Sequence, residues 1–309
     1  MKTVLKFAYY MLAGLFMIKS IPLLAQQEEQ TRAWIIGGML DGVKTPTGLF
    51  IDITAIDLDS EGNLFILDRG RNRLLKYTAN GQLLEEIGGL GSSQDRFNEP
   101  SDLDAHLTLN IYVSDYNNDR IVLFDKNLNY LNEFKSSSDD LFYFEMPLSV
   151  AVNNQYDLFI LEDLNKRIVK YDRFNQPKAQ FGRATDNLGQ LLGPFQVALG
   201  SKNEIFISDQ LSKTIQVFDF LGNFLREIAH PDFIEPLGID VTPKDYLIVA
   251  DHKGQKIYFF TTSGKLQEQL DLKPLGISPT DVALWHPRGT EKSSLYVSSV
   301  NKCYLFRKK

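Results

Sequence analysis

Cysteine is almost absent, with one residue, Cys303, in 309. A lone thiol makes no intramolecular disulfide, so packing and sheet pairing must hold the fold even in an oxidising compartment. Cys303 falls in the last strand-like run, where a small buried hydrophobe is expected. Histidine is scarce too, with four residues. There is no H-E-x-x-H, no G-x-S-x-G, no phosphate-binding glycine loop and no C-x-x-C, which removes the commonest signatures of metalloproteases, α/β-hydrolases, nucleotide-binding enzymes and thiol redox proteins. An excess of positive charge is missing as well. The net charge of −6 and the pI near 5.3 argue against a surface built to neutralise phosphates, so a nucleic-acid partner is not expected.

Long apolar runs are also lacking. The run at residues 7–18 spans 12 residues and ends at Lys19, short of the roughly 20 that a spanning helix needs. Led by Lys2 and Lys6 and followed by Pro22 and a stretch ending at Ala25, it makes residues 1–25 a signal peptide. Export to the periplasm or the extracellular space is the consequence, with residues 26–31 as a polar linker and no membrane span in the mature chain.

What the chain does have is repetition. IYVSDYNNDRIVLFD at 111–125 recurs as LFILDRGRNRLLKYT at 64–78, LFILEDLNKRIVKYD at 158–172, IFISDQLSKTIQVFD at 205–219, LIVADHKGQKIYFFT at 247–261 and, shortened, LYVSSVNKCYLF at 295–306. Each copy is an apolar run, a polar turn and a second alternating run, the pattern of a β-hairpin. The carboxylates Asp68, Asp115, Glu162 and Asp209 stand 47 residues apart, and Asp251 follows after 42. An inner strand precedes each hairpin and an outer strand follows all but the last. Repeats of this length with four strands mean propeller blades.

Residues 32–38, RAWIIGG, match the outer strand of the first repeat, LLEEIGG at 83–89. The sixth repeat lacks its own, so the N-terminal segment is expected to pair with it and close the ring, which also removes an exposed edge. The fold class is therefore all-β, a six-bladed β-propeller with four-stranded antiparallel blades over residues 32–309. Pro100, Pro147, Pro194, Pro236 and Pro279 each precede an inner strand, where proline loses no needed ladder bond. The linkers IGGLGSSQDRFNEP at 87–100 and FGRATDNLGQLLGP at 181–194, together with the hairpin Y-V-S-D-x-x-N-x-R-I, resemble the NHL-repeat family of six-bladed propellers, of an exported bacterial type.

Three constellations bear on function. The repeated carboxylate is followed five residues on by Arg73, Arg120, Arg167, Thr214 or Lys256, which reads as a cross-strand ion pair or a carboxylate holding turn amides. Acids also recur on the inner strands at the parity opposite to the apolar residues: Asp57, Asp102, Asp104, Asp240 and Asp281. In a closed ring Asp281, Asp57 and Asp102 come from neighbouring blades and form an acidic arc, the candidate metal ligands, and calcium is the cation such oxygens would share. Lastly, the top-face loops hold Arg69, Arg71, Tyr116, Asn117, Tyr143, Gln210 and His252, polar and aromatic groups suited to a protein, peptide or glycan.

The fold resemblance extends to a zinc-dependent lyase acting on peptidylglycine derivatives, but His106 and His286 fall at inner-strand exits while His230 and His252 fall at the other end, so they cannot share one metal. It extends also to six-bladed lactonases with an axial metal. The first reading is an exported binding or scaffolding module with no cofactor, and the alternative is a metal-dependent lactonase or lyase at the channel.

Overall fold

The computed structural model describes residues 34–107, 109–137, 139, 142–186, 188–287 and 293–308. The expected signal peptide, the linker and the middle of the loop at 286–294 lie outside these residues.

Six antiparallel sheets of four strands each make the fold among the described residues. Blade one runs outward in chain order through Ile53–Leu58, Leu64–Asp68, Arg73–Tyr77 and Leu83–Gly88. The next inner strands are Pro100–Asp104, Pro147–Val152, Pro194–Leu199, Pro236–Val241 and Val282–Trp285, and the next outer ones are Tyr130–Phe134, Pro177–Phe181, Phe224–Ala229 and Leu266–Asp271. Middle strands such as Leu64–Asp68 are buried at every position, because a blade is covered on both faces by its neighbours. That is why these segments read as unbroken apolar runs while the outer strands alternate.

The core lies between blades. Phe65, Leu67 and Leu74 of blade one pack with Leu103, Val113 and Phe124 of blade two, and Phe97 from the intervening linker joins them. Burial of this kind, at roughly 25 cal/mol per Å² of apolar surface, replaces the disulfides that the chain lacks.

Blade six is closed by the N-terminal segment, as the repeat count requires. Trp34–Leu40 pairs antiparallel with Lys302–Lys308, Trp34 facing Lys308 and Met39 facing Tyr304, with a bulge between Ile36 and Gly38. Trp34 is buried, stacks on Phe259 at 5.7 Å and donates its indole N–H to Glu268 at 2.8 Å. Ile35 and Ile36 remain exposed, so Trp34 is the anchor of this strand.

The hairpin carboxylates form clamps at the rim. Asp68 faces Arg73 in register and bonds it at 2.9 Å, Asp115 bonds Arg120 at 2.7 Å, and Glu162 bonds Arg167 at 2.9 Å. Asp68 also accepts the linker amides of Ile51 and Asp52 at 3.2 and 3.0 Å, and Asp115 that of Asn98 at 2.7 Å. In blade four Thr214 offers no cation, yet Asp209 accepts Leu192 N–H and Gly193 N–H at 2.6 and 3.0 Å. In blade five Lys256 turns to Asp232 at 3.1 Å while Asp251 accepts Ile234 N–H and Glu235 N–H at 2.9 and 2.8 Å. Capture of the incoming linker is thus shared by four of these carboxylates, Asp68, Asp115, Asp209 and Asp251, and the arginine pair is confined to blades one to three.

Candidate functional site at the central channel

The inner strands place two rings of side chains around the axis. Two residues after Ile53, Pro100, Pro147, Pro194, Pro236 and Pro279 stand Ala55, Asp102, Ser149, Gln196, Gly238 and Asp281; two further on stand Asp57, Asp104, Ala151, Ala198, Asp240 and Ala283. The period-2 alternation of a strand brings both sets to the same side.

Polar members of these rings reach to the next blade. In the first ring Asp102 accepts Val150 N–H at 3.1 Å, Ser149 Val197 N–H at 3.0 Å, Gln196 Ile239 N–H at 2.6 Å and Asp281 Ile56 N–H at 2.8 Å. In the second Asp57 accepts Ala105 N–H at 2.6 Å, Asp104 Val152 N–H at 2.8 Å and Asp240 Leu284 N–H at 2.8 Å. The inner strands of neighbouring blades share no ladder, so these bonds satisfy amides that would otherwise face the channel unpaired.

Side chains of the first ring also bridge three blades. Gln196 donates its amide to Asp102 at 3.1 Å, reaching from blade four to blade two, and Ser149 of the blade between them bonds the same carboxylate. This bridge borders a cavity of about 560 Å³, lined by Asp57, Asp104, His106, Asp240 and the three alanines of the second ring, with Leu58, Leu199, Val241, Leu284, Trp285, Lys244 and His286 towards the inner-strand exits. The alanines matter: half of the second ring has no side chain long enough to fill the space.

Burial raises the channel carboxyls, and His106 offsets it only in part at Asp57 and Asp240. Desolvation, reinforced by the charge of Asp104, pushes Asp57 up to about 8. Desolvation raises Asp102 to about 7, against the pull of Ser149 and Gln196, and Asp240 to about 6. Asp281 is raised well above the carboxylate range by burial and by Asp102. His106 Nδ1 lies 2.6 Å from Asp104. Partial desolvation opposes its charge, the side chain being 46% exposed, but Asp104, with Asp57 and Asp240 behind it, brings the imidazole up to about 9.

The expected acidic arc is therefore divided. Asp102 and Asp281 occupy one ring and Asp57 the other, and each spends an oxygen on a neighbouring blade. Asp102 and Asp57 line the cavity and Asp281 is buried behind it. No group of three His, Cys, Asp or Glu side chains among the described residues is gathered closely enough to hold a metal ion. His106 and His286 border the same cavity, while His252 sits at the other end, its Nδ1 3.1 Å from the carbonyl of Pro279.

The top-face candidates are largely engaged with neighbouring linkers and turns. Arg69 pairs with Asp52 at 2.6 Å, Arg71 donates to Leu49 O at 2.8 Å, and Tyr116 donates to Asp163 at 2.6 Å. The backbone N–H groups of Asn117 and Gln210 bond Asn98 O and Gly193 O, and the Tyr143 ring lies under the Arg167 guanidinium at 5.6 Å. None of these seven residues lines the channel cavity. Gln196 is the site residue that sequence reasoning passed over. Its signal was present: it is a polar residue at the ring position of Asp102 and Asp281.

No protein-family model matches the chain, and no curated protein does either. Solved structures do resemble it. A streptogramin B lyase superposes with a TM-score of 0.62 at 14% identity, covering 91% of this chain and 99% of that one. Virginiamycin B lyase from Staphylococcus aureus, in a catalytically inactive form with quinupristin, gives 0.62 at 14% over 88% and 99%. The nidogen/laminin complex gives 0.56 at 14% over 71% and 80%. At these identities the likeness is one of fold, and that fold carries a lyase and a protein complex alike.

Proposed function

We propose that the protein is an exported, NHL-like binding module that takes a small group, a peptide side chain or a sugar unit of a larger partner, into the channel cavity from the inner-strand exits. The observation that carries this reading is the cavity itself. It is of ligand size, walled by leucine, valine and alanine, and supplied with a few convergent polar groups of raised pKa, the usual composition of a small-molecule site. Export rests on the basic and apolar pattern of residues 1–25. No helix among the described residues is long and apolar enough to cross a membrane.

The test is binding to arrays of peptides and oligosaccharides by three proteins. Ala198→Phe fills the cavity and is expected to abolish binding seen with the parent, whereas Leu164→Lys, on an exposed top-face turn, is expected to leave it intact. The reverse pattern would return the site to the top-face loops Arg69, Arg71, Tyr116, Asn117, Tyr143, Gln210 and His252.

A second reading, a metal-dependent lactonase or lyase, has one observation in its favour: the hydrogen-bonded Asp104 and His106 at the cavity wall, a pairing suited to proton transfer. If Asp57, Asp102 and Asp281 took calcium, the ion would raise the melting temperature, by about 2.7 kcal/mol of stability at a hundredfold excess over the dissociation constant. Identical melting curves in calcium and in chelator would discard the metal.

A further inference from the structure

Each blade ends in an outer strand whose far edge has no strand partner among the described residues. Five of these edges carry charge: Glu85 and Glu86 in blade one, Glu133 in blade two, Lys178 in blade three, Arg226 and Glu227 in blade four, Glu268 and Asp271 in blade five. Charge on an edge discourages a second strand from adding to it. The edge of blade six, Trp34–Leu40, reads WIIGGML and has none. Its large apolar side chains are also uncovered, with Ile35 47%, Ile36 46% and Met39 47% exposed. Unpaired N–H and C=O groups beside uncharged apolar side chains make a template for strand addition.

We propose that Trp34–Leu40 is the docking edge for a second copy of this chain, strand against strand and antiparallel. A copy fits because antiparallel pairing of one strand with itself is isologous, so an apolar uncharged edge meets an equally apolar uncharged edge. The same pairing of two blade-one edges would set Glu85 and Glu86 against their own copies. Gly37 is the middle residue of the seven, where a self-paired strand crosses its two-fold axis. The bulge at this point shortens the regular ladder. With one strand pair the contact falls below the ~1,600 Å² of a standard stable interface, so the dimer is weak and concentration-dependent.

Sedimentation velocity of the full chain from about 1 to about 200 µM reads this directly. The parent is expected to shift from monomer to dimer across the range. Ile36→Lys and Met39→Lys, both at exposed positions, are expected to remain monomeric with unchanged melting temperatures, and Leu84→Lys on the blade-one edge to dimerise like the parent. A parent that stays monomeric throughout would overturn the proposal. So would a dimer that survives both edge lysines, or one that is lost equally with Leu84→Lys.

Discussion

The rim and the channel use the same residue type in opposite ways. At the rim of blades one to three a buried carboxylate faces a buried arginine, and that arginine is a hub: Arg120 also bonds Glu133 and the carbonyls of Ser92, Ser93 and Arg96. In the channel, Asp102 and Asp281 are buried and Asp57 and Asp240 half-buried, with amides, hydroxyls and one another for company. Burial raises Asp115 too, but Asn118, the Asn98 amide and Arg120 pull it back, whereas Asp57 has Asp104 pushing the same way as desolvation. A satisfied rim pair leaves nothing for a ligand to do. Channel carboxyls kept neutral by desolvation beside open space have donors and acceptors to offer, and their cost to folding is what a structural role alone would have removed by substitution.

Breaking the rim gives the largest expected effect. Arg120→Ala leaves the buried Asp115 without its cation, and Glu133 with Lys135 alone, and is expected to cost about 3–5 kcal/mol, read by chemical denaturation, with any binding by the folded fraction unchanged. A mild loss, or loss of binding at full stability, would put the pair in the site. The channel should respond with the opposite sign. Asp102→Asn with Asp281→Asn keeps an oxygen for the Val150 and Ile56 amides while removing two desolvated ionisable carboxyls, and at pH 8 is expected to be neutral or stabilising by about 1 kcal/mol.

The smallest effect concerns pH. The folded-state pKa values of Asp57, Asp102 and Asp240, about 8, 7 and 6, lie above the unfolded carboxylate value, so the folded state holds protons that the unfolded chain releases. Their contribution is therefore most favourable below the unfolded pKa, about 4, and is lost as pH rises to 8. The melting temperature is expected to fall between pH 6 and 8.5, and Asp57→Asn to flatten that slope. An unchanged slope would mean that Asp57 is ionised throughout.

Architecture was legible because a period of 47 with a hairpin in each repeat admits few folds, and because the missing sixth outer strand named its own substitute at Trp34. The parity of Asp57 and Asp102 placed them at the channel correctly. Their grouping did not follow, since parity shows which side a residue faces and not which ring it joins. Asp57 stands four residues into its strand and Asp102 two, and aligning the strands on Ile53 and Pro100 separates them. The cavity was not legible either. It depends on Ala151, Ala198 and Ala283 standing where three acids could have stood, and on Gln196 crossing to Asp102, a contact between residues 94 apart in sequence. The top-face residues looked free because a linear sequence does not show that Arg69, Arg71 and Tyr116 are held by Asp52, Leu49 and Asp163.

The contrast between rim and channel is tested most directly by following the aspartate side-chain carboxyl carbons by ¹³C NMR from pH 3 to 9. The account predicts that Asp57 titrates near 8 and Asp240 near 6, and that both titrations move when His106→Asn removes the imidazolium beside them. Titration of both near 4, the value of an ordinary solvated aspartate, would contradict it: the channel carboxyls would then be as well compensated as those of the rim, and the cavity would lose the chemistry that marks it as a site.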